Sequence, residues 1–273
     1  MIRDTFRIKP SGLPILSNRE IDRIAEHVLA DYDPDLLTVP QPIPIDLIME
    51  SYFGLVFDYL YLSHDGYILG ATVFKDGFVR SIFNPERQQA EEHWARRGDI
   101  LIDSRLLEPS NTRRKRATMA HECGHWLFHQ EYHRRTEGDA IAASIVVDKK
   151  HDMEERNENY LVKDRDWLVH QANYFSGAIL MPESMFQKAA GSEEVQKMVW
   201  IRHARSCAEA RDETAARCLA DIFLVSVEAA RLRMQQLGIT MGPGMSPQEF
   251  AAAREQALAQ KRKRRSKRSS IKA

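Results

Sequence analysis

At 273 residues, with 43% hydrophobic and 29% charged side chains, the chain has the composition of a soluble globular protein of one to two domains. Three scattered cysteines, Cys123, Cys207 and Cys218, exclude a disulfide framework, and no run approaches the eighteen or so apolar residues that span a bilayer. With no apolar signal core in Met-Ile-Arg-Asp-Thr-Phe-Arg-Ile-Lys-Pro either, a cytoplasmic location without membrane contact is expected.

The 39 basic and 39 acidic groups cancel overall, but residues 254–273 hold nine of the bases and one acid, Glu255. The first 253 residues therefore carry 30 basic and 38 acidic groups, a net charge of −8 behind a short basic tail.

In chain order, Ser17 or Asn18 caps an amphipathic helix over 16–29, with Ile21, Ile24, Ala25 and Val28 on one stripe. Pro40, Pro42 and Pro44 make an extended connector, and a short helix follows over 45–52. Segments 55–61, 67–74 and 78–83 read as strands, with Asp76-Gly77 as a hairpin turn between the last two, and 99–103 as a further strand. A helix covers 114–130, then a strand 140–147, and a charge-dense surface loop or lid 148–165. Helices are expected over 166–180, ending at Met181-Pro182, and over 183–190, 192–210, 212–224 and 226–237, the last closed by Gly238. Gly242-Pro-Gly marks a boundary, Ser246-Pro-Gln-Glu starts a final helix, and 261–273 is low-complexity and disordered in expectation.

The helix at 114–130 carries His121-Glu-Cys-Gly-His125. Two histidines at i and i+4 lie one above the other on a helix, so both imidazoles reach one ion, and Glu122 between them is placed to take a proton from water. By residue frequencies such a pentapeptide arises by chance in roughly one chain in a hundred of this length, so its context matters. Met119, Ala120, Trp126, Leu127 and Phe128 make that context a buried helix, where the plain alternative is two satisfied core histidines. Cys123 between the histidines is either a redox-sensitive thiol or, preferably, a small buried hydrophobe.

A catalytic zinc takes three protein ligands and leaves the fourth place for water. A third histidine ten residues after the first is excluded, since position 131 is Glu and position 127 is Leu. His129 and His133 continue the i+4 series, but each step drifts about 40° around the helix. They read as surface groups or as supports behind the ligands. A ligand from a later helix remains, which directs attention to 166–182.

Residues 116–125, Arg-Ala-Thr-Met-Ala-His-Glu-Cys-Gly-His, and 171–182, Gln-Ala-Asn-Tyr-Phe-Ser-Gly-Ala-Ile-Leu-Met-Pro, resemble two motifs of the ImmA/IrrE family of metallopeptidases. Pro44-Ile45-Asp46, 100–103 and the helix pair at 219–238 fit the same pattern, so the resemblance covers roughly 16–238. It implies an α+β zincin-like fold, a small mixed or antiparallel sheet with an active-site helix and a helical C-terminal subdomain. The expected divisions are a metallopeptidase domain over 1–182, a helical subdomain over 183–240, and a linker, short helix and basic tail over 241–273. Zinc-dependent cleavage of a helix-turn-helix transcriptional repressor is the implied activity, with His121 and His125 as ligands and Glu122 as general base. The family's third ligand is a glutamate three residues before Ala-Asn; here that position is Val169, which cannot bind an ion. His170 or Asp166 could substitute, or the site has no third ligand and the protein binds its partner without hydrolysis. Asn173, one turn beyond 169, is placed to hold a ligand histidine in one tautomer.

Segments 212–224 and 226–237 have helix-turn-helix rhythm, but Val227, Glu228, Ala229 and Ala230 are poor equipment for reading bases, so a packing pair is expected. Lys261, Arg262, Lys263, Arg264 and Arg265 in the tail could contact nucleic-acid phosphates without sequence preference, or form a solvated terminus.

Overall fold

The computed structural model describes residues 7–136, 145–149, 163–203 and 206–242, with positions 246, 248, 249, 251, 252 and 255 beyond them. The chain divides into two compact units, 1–185 with 223–226, and 186–222 with 227–273.

The first unit opens with α1, Asn18–Tyr32, started by a full capping box in which Ser17 and Glu20 satisfy each other's backbone N–H. Its apolar stripe, Ile21, Ile24, Ala25 and Val28, is buried, and α2, Ile45–Leu47, continues into a π turn over Ile48–Tyr52. Among the described residues six strands follow: β1 Val56–Leu60, β2 Ile68–Val73, β3 Gly77–Asn84, β4 Gln89–Ala95, β5 Asp99–Asp103 and β6 Ile145–Lys149. They form a four-stranded sheet in the order β1-β5-β2-β6 and a separate ribbon of β3 and β4. Only the β1–β5 pair is parallel in the larger sheet.

The hairpin expected at Asp76-Gly77 is corrected. β2 pairs with β5 and β6 and not with β3, because the 74–77 link carries the chain from one sheet to the other. Asp76 instead accepts a hydrogen bond from Arg97 N–H at 2.7 Å. The tight hairpin is β3–β4, turned by Asn84, whose side-chain oxygen accepts from Glu86 and Arg87 N–H, and by Gln88 at φ 53°. β4 was hidden because Gln89-Ala-Glu-Glu-His-Trp is largely polar and faces water along much of its length.

Side-chain alternation on β2 assigns the two faces of the sheet. Ala71 and Val73 join Leu101, Val79, Ile82 and Ala95 in a core shared with the ribbon. Gly70 and Thr72 point the other way, and their cross-strand partners Ile102 and Ile100 share that face. On it lies α3, Thr112–Phe128, buried around its circumference from Met119 to Phe128, as a helix enclosed on several sides must be. α4, Gln130–Thr136, follows directly. α5, Asp164–Leu180, crosses α3 antiparallel: Ser176 Oγ donates to Ala117 O at 3.0 Å, while Ala172 meets Gly124. A Cβ at Gly124 would come within 3.0 Å of Ala172 Cα, so the close crossing needs glycine there.

α6, Glu183–Ala190, leads into the second unit, with α7 Glu193–His203, α8 Ala208–Phe223 and α9 Val227–Gln236. The boundary expected at 211, between helices over 192–210 and 212–224, is corrected: α7 ends at His203 and α8 begins at Ala208. No Gly or Pro marks that break, and Arg211 donates to the Ser206 carbonyl and to Met241 O, the latter at 2.9 Å. In α9, Arg231 is ion-paired with Glu213 and Glu228 and Arg233 is 1% exposed, so both arginines of this helix are engaged within the chain. Gly238, at φ 63°, closes α9. The expected strand over 140–147 is seen as 145–149; its first part, most of the loop at 148–165, and the tail at 261–273 lie outside the described residues.

Candidate metal centre

Helical spacing places His121 and His125 on one face of α3, and their Nε2 atoms converge to 2.9 Å. Two nitrogens bound to one tetrahedral zinc at ~2.0–2.1 Å would sit roughly 3.3 Å apart, so the pair fits two corners of such a site with little movement. Both rings are buried, at 8% and 0% exposure.

Glu122, 1% exposed, faces β2. The Thr72 hydroxyl donates to its Oε2 at 2.6 Å and lies 3.1 Å from its backbone carbonyl. Gly70 leaves room for the carboxyl: a Cβ there would stand 2.6 Å from Glu122 Oε1. One strand therefore both orients the carboxyl and makes space for it. Cys123 is wholly buried and burial pushes its thiol pKa up, which removes the thiolate that a redox switch needs. The root of α3 is tied down by Arg113, which donates to Val225 O at 2.7 Å, and by Arg116, which donates to Leu224 O at 3.2 Å. Arg116 opens the first family-like motif, so its packing role accounts for an arginine at that place.

The structure does not bring His170 to the histidine pair. α5 is a regular helix through this position, with no bulge to rotate the ring, and His170 Nε2 meets Asn18 Oδ1 at 3.1 Å instead. Burial pushes the His170 pKa down. Asp166 is engaged at the start of α5, accepting from Lys163 N–H at 3.1 Å. Val169 is a core residue, 6% exposed. Among the described residues no group of three His, Cys, Asp or Glu side chains converges as a metal site. The fit to zinc is therefore two ligands from α3, with no third among the described residues.

Asn173 makes no hydrogen bond to either histidine among the described residues; the ring of His125 is held from behind by His129, Nδ1 to Nδ1 at 2.8 Å. His129 is fully buried and its Nε2 lies 3.1 Å from Gln171 Oε1, while Gln171 Nε2 donates to Pro14 O at 2.8 Å. Burial first, then the neighbouring His125, drives the His129 pKa well below the ordinary imidazole value. Of the two readings of His129, surface group or support, the structure selects support. The ring stays in line despite the drift because it caps α3, its N–H bonding His125 O at 3.0 Å. Gln171 and Thr72 were not legible as site residues. Gln171 sits beside the Ala-Asn pair inside the second motif, and that adjacency was the available signal.

No curated protein sequence matches the chain. Residues 83–235, more than half of it, match the model of the IrrE N-terminal-like domain, peptidase M78, which takes in both α3 and α5. The mixed α+β architecture, with its small sheets and a histidine-bearing helix against one sheet face, agrees with the zincin-like expectation. By its sequence, this chain belongs to the IrrE N-terminal-like domain family, peptidase M78.

Proposed function

We propose that the protein is a zinc-dependent regulatory endopeptidase of the cytoplasm whose substrate is a helix-turn-helix transcriptional repressor. The observation that carries the enzymatic part is the convergence of His121 and His125 Nε2, at 2.9 Å, on the helix that also carries Glu122, whose carboxyl is oriented from β2. His121 and His125 would hold the ion. When bound, zinc lowers the pKa of a water molecule to near neutrality and polarises a peptide carbonyl. Glu122 accepts the proton of the attacking water and delivers it to the leaving amine. Thr72 fixes one carboxylate oxygen, so the other is the one that exchanges the proton. The repressor as substrate rests on kinship, and any phosphate contact at Lys261–Arg265 rests on the charge of that segment.

A second reading has its own observation: Val169 is buried where the family places a ligand. On that reading the chain binds its repressor without cleaving it. Metal content separates the two. Zinc near one equivalent in protein purified without added metal, with E122Q keeping zinc and losing cleavage of a repressor or a proteome-derived peptide library, supports the enzyme. No zinc even after soaking refutes it.

A further inference from the structure

The ring behind the ligand pair is part of a directed chain of hydrogen bonds, and its direction can be worked out from one end. The carbonyl of Pro14 can only accept. Gln171 therefore presents its NH₂ to Pro14 O, at 2.8 Å, and its oxygen to His129 Nε2, at 3.1 Å. An amide oxygen can only accept, so His129 carries its proton on Nε2. A neutral imidazole has one N–H, which leaves His129 Nδ1 bare. Across 2.8 Å it then accepts from His125 Nδ1, and His125 must carry its proton there. His125 Nε2 is left as a lone pair, aimed at His121 Nε2. Without an ion, the 2.9 Å contact between the two Nε2 atoms then places its proton on His121.

We propose that Gln171 and His129 are positioning residues that lock His125 in the Nδ1–H tautomer and so present its Nε2 lone pair ready for a metal ion. The two histidines of the motif are thereby unequal: His125 arrives in its binding tautomer, whereas His121 must exchange its Nε2 proton for one on Nδ1 when an ion enters. The residues are buried on all sides of this chain, Gln171 at 1% and His129 at 0% exposure, so water does not compete for the bonds. The segment that ends the chain is itself anchored: Gly12, at φ 89°, packs against the Glu131 backbone so closely that a Cβ would come within 2.6 Å of its carbonyl oxygen.

This inference rests on the zinc reading for its purpose, but its test does not. The full-length, metal-free protein with ¹⁵N-labelled histidine is studied by long-range ¹H–¹⁵N correlation at about pH 8, above the imidazole range. The expected pattern is a protonated Nδ1 and bare Nε2 for His125, and the reverse for His129. An Nε2-protonated His125 overturns the proposal. Q171L, close in volume, should mix the His125 tautomers and weaken zinc binding by about 10–100-fold. A Q171L spectrum identical to wild type also overturns it, and the wild-type measurement stands even if a variant does not fold. Expected tautomers in a protein that takes up no zinc would refute the zinc reading alone; zinc uptake with the opposite tautomer would refute this inference alone.

Discussion

Gly70→Ala tests the account of Glu122 most directly. The added Cβ would lie 2.6 Å from Glu122 Oε1, 2.7 Å from Thr118 Cγ2 and 3.0 Å from Glu122 Cγ. Carbon contacts settle at about 3.5 Å or more, so the neighbours must give by roughly 0.5–1 Å. Little can yield. β2 is hydrogen-bonded on both edges, to β5 and to β6, and Thr118 is a β-branched residue in mid-helix. Overpacking of this kind costs about 1–3 kcal/mol, and for a unit of this size each kcal/mol lowers Tm by about 2–4 °C. The expected fall is therefore about 2–12 °C by thermal unfolding, and a carboxylate displaced by nearly 1 Å should lower cleavage by ~10²-fold. Gly191→Ala is the control, since its Cβ would meet nothing nearer than 3.6 Å. A G70A protein with the Tm and cleavage rate of wild type would refute the reasoning.

Thr72→Val keeps the shape and removes the hydroxyl that donates to Glu122 at 2.6 Å. A loss of about 1.5–3 kcal/mol, read by denaturant unfolding, is expected together with slower cleavage; an unchanged stability would count against that bond. Thiol labelling of the native chain should modify exposed Cys207 readily and leave Cys123 untouched until unfolding, and fast native labelling of Cys123 would contradict its burial. Arg134 and Arg135 hold the Glu131 carboxyl down at about 2, below its ordinary 4.5. Because the folded pKa is the lower one, this contribution to stability is complete above about 4.5 and is lost as pH falls toward 2. A carboxyl titration by NMR checks it, with an ordinary value as the refuting result.

The His-Glu-Cys-Gly-His helix, the cap at Ser17 or Asn18, the strand at 99–103 and the closing Gly238 were all legible because each is a local pattern. Periodicity, caps and i, i+4 spacing involve residues a few positions apart, and the backbone geometry that relates them is the same in any protein. The pairing partners of β2 and the existence of β4 were less accessible. A polar strand and a link between two sheets carry no local signature that separates them from a loop and a hairpin.

The same division runs through the candidate site. Sequence alone was sufficient to set His121 and His125 on one helical face with Glu122 beside them, and to relate 171–182 to a second element of the same family. It could not say that His170 turns to Asn18, that Gln171 turns to His129, or that Gly70 and Thr72 shape the Glu122 carboxyl. These contacts join residues 42, 50 and 152 positions apart. They follow from the close crossing of α5 over α3 at Gly124 and from the face that β2 turns toward α3, and a rotation of one helix by a single residue, about 100°, would exchange one set of partners for another.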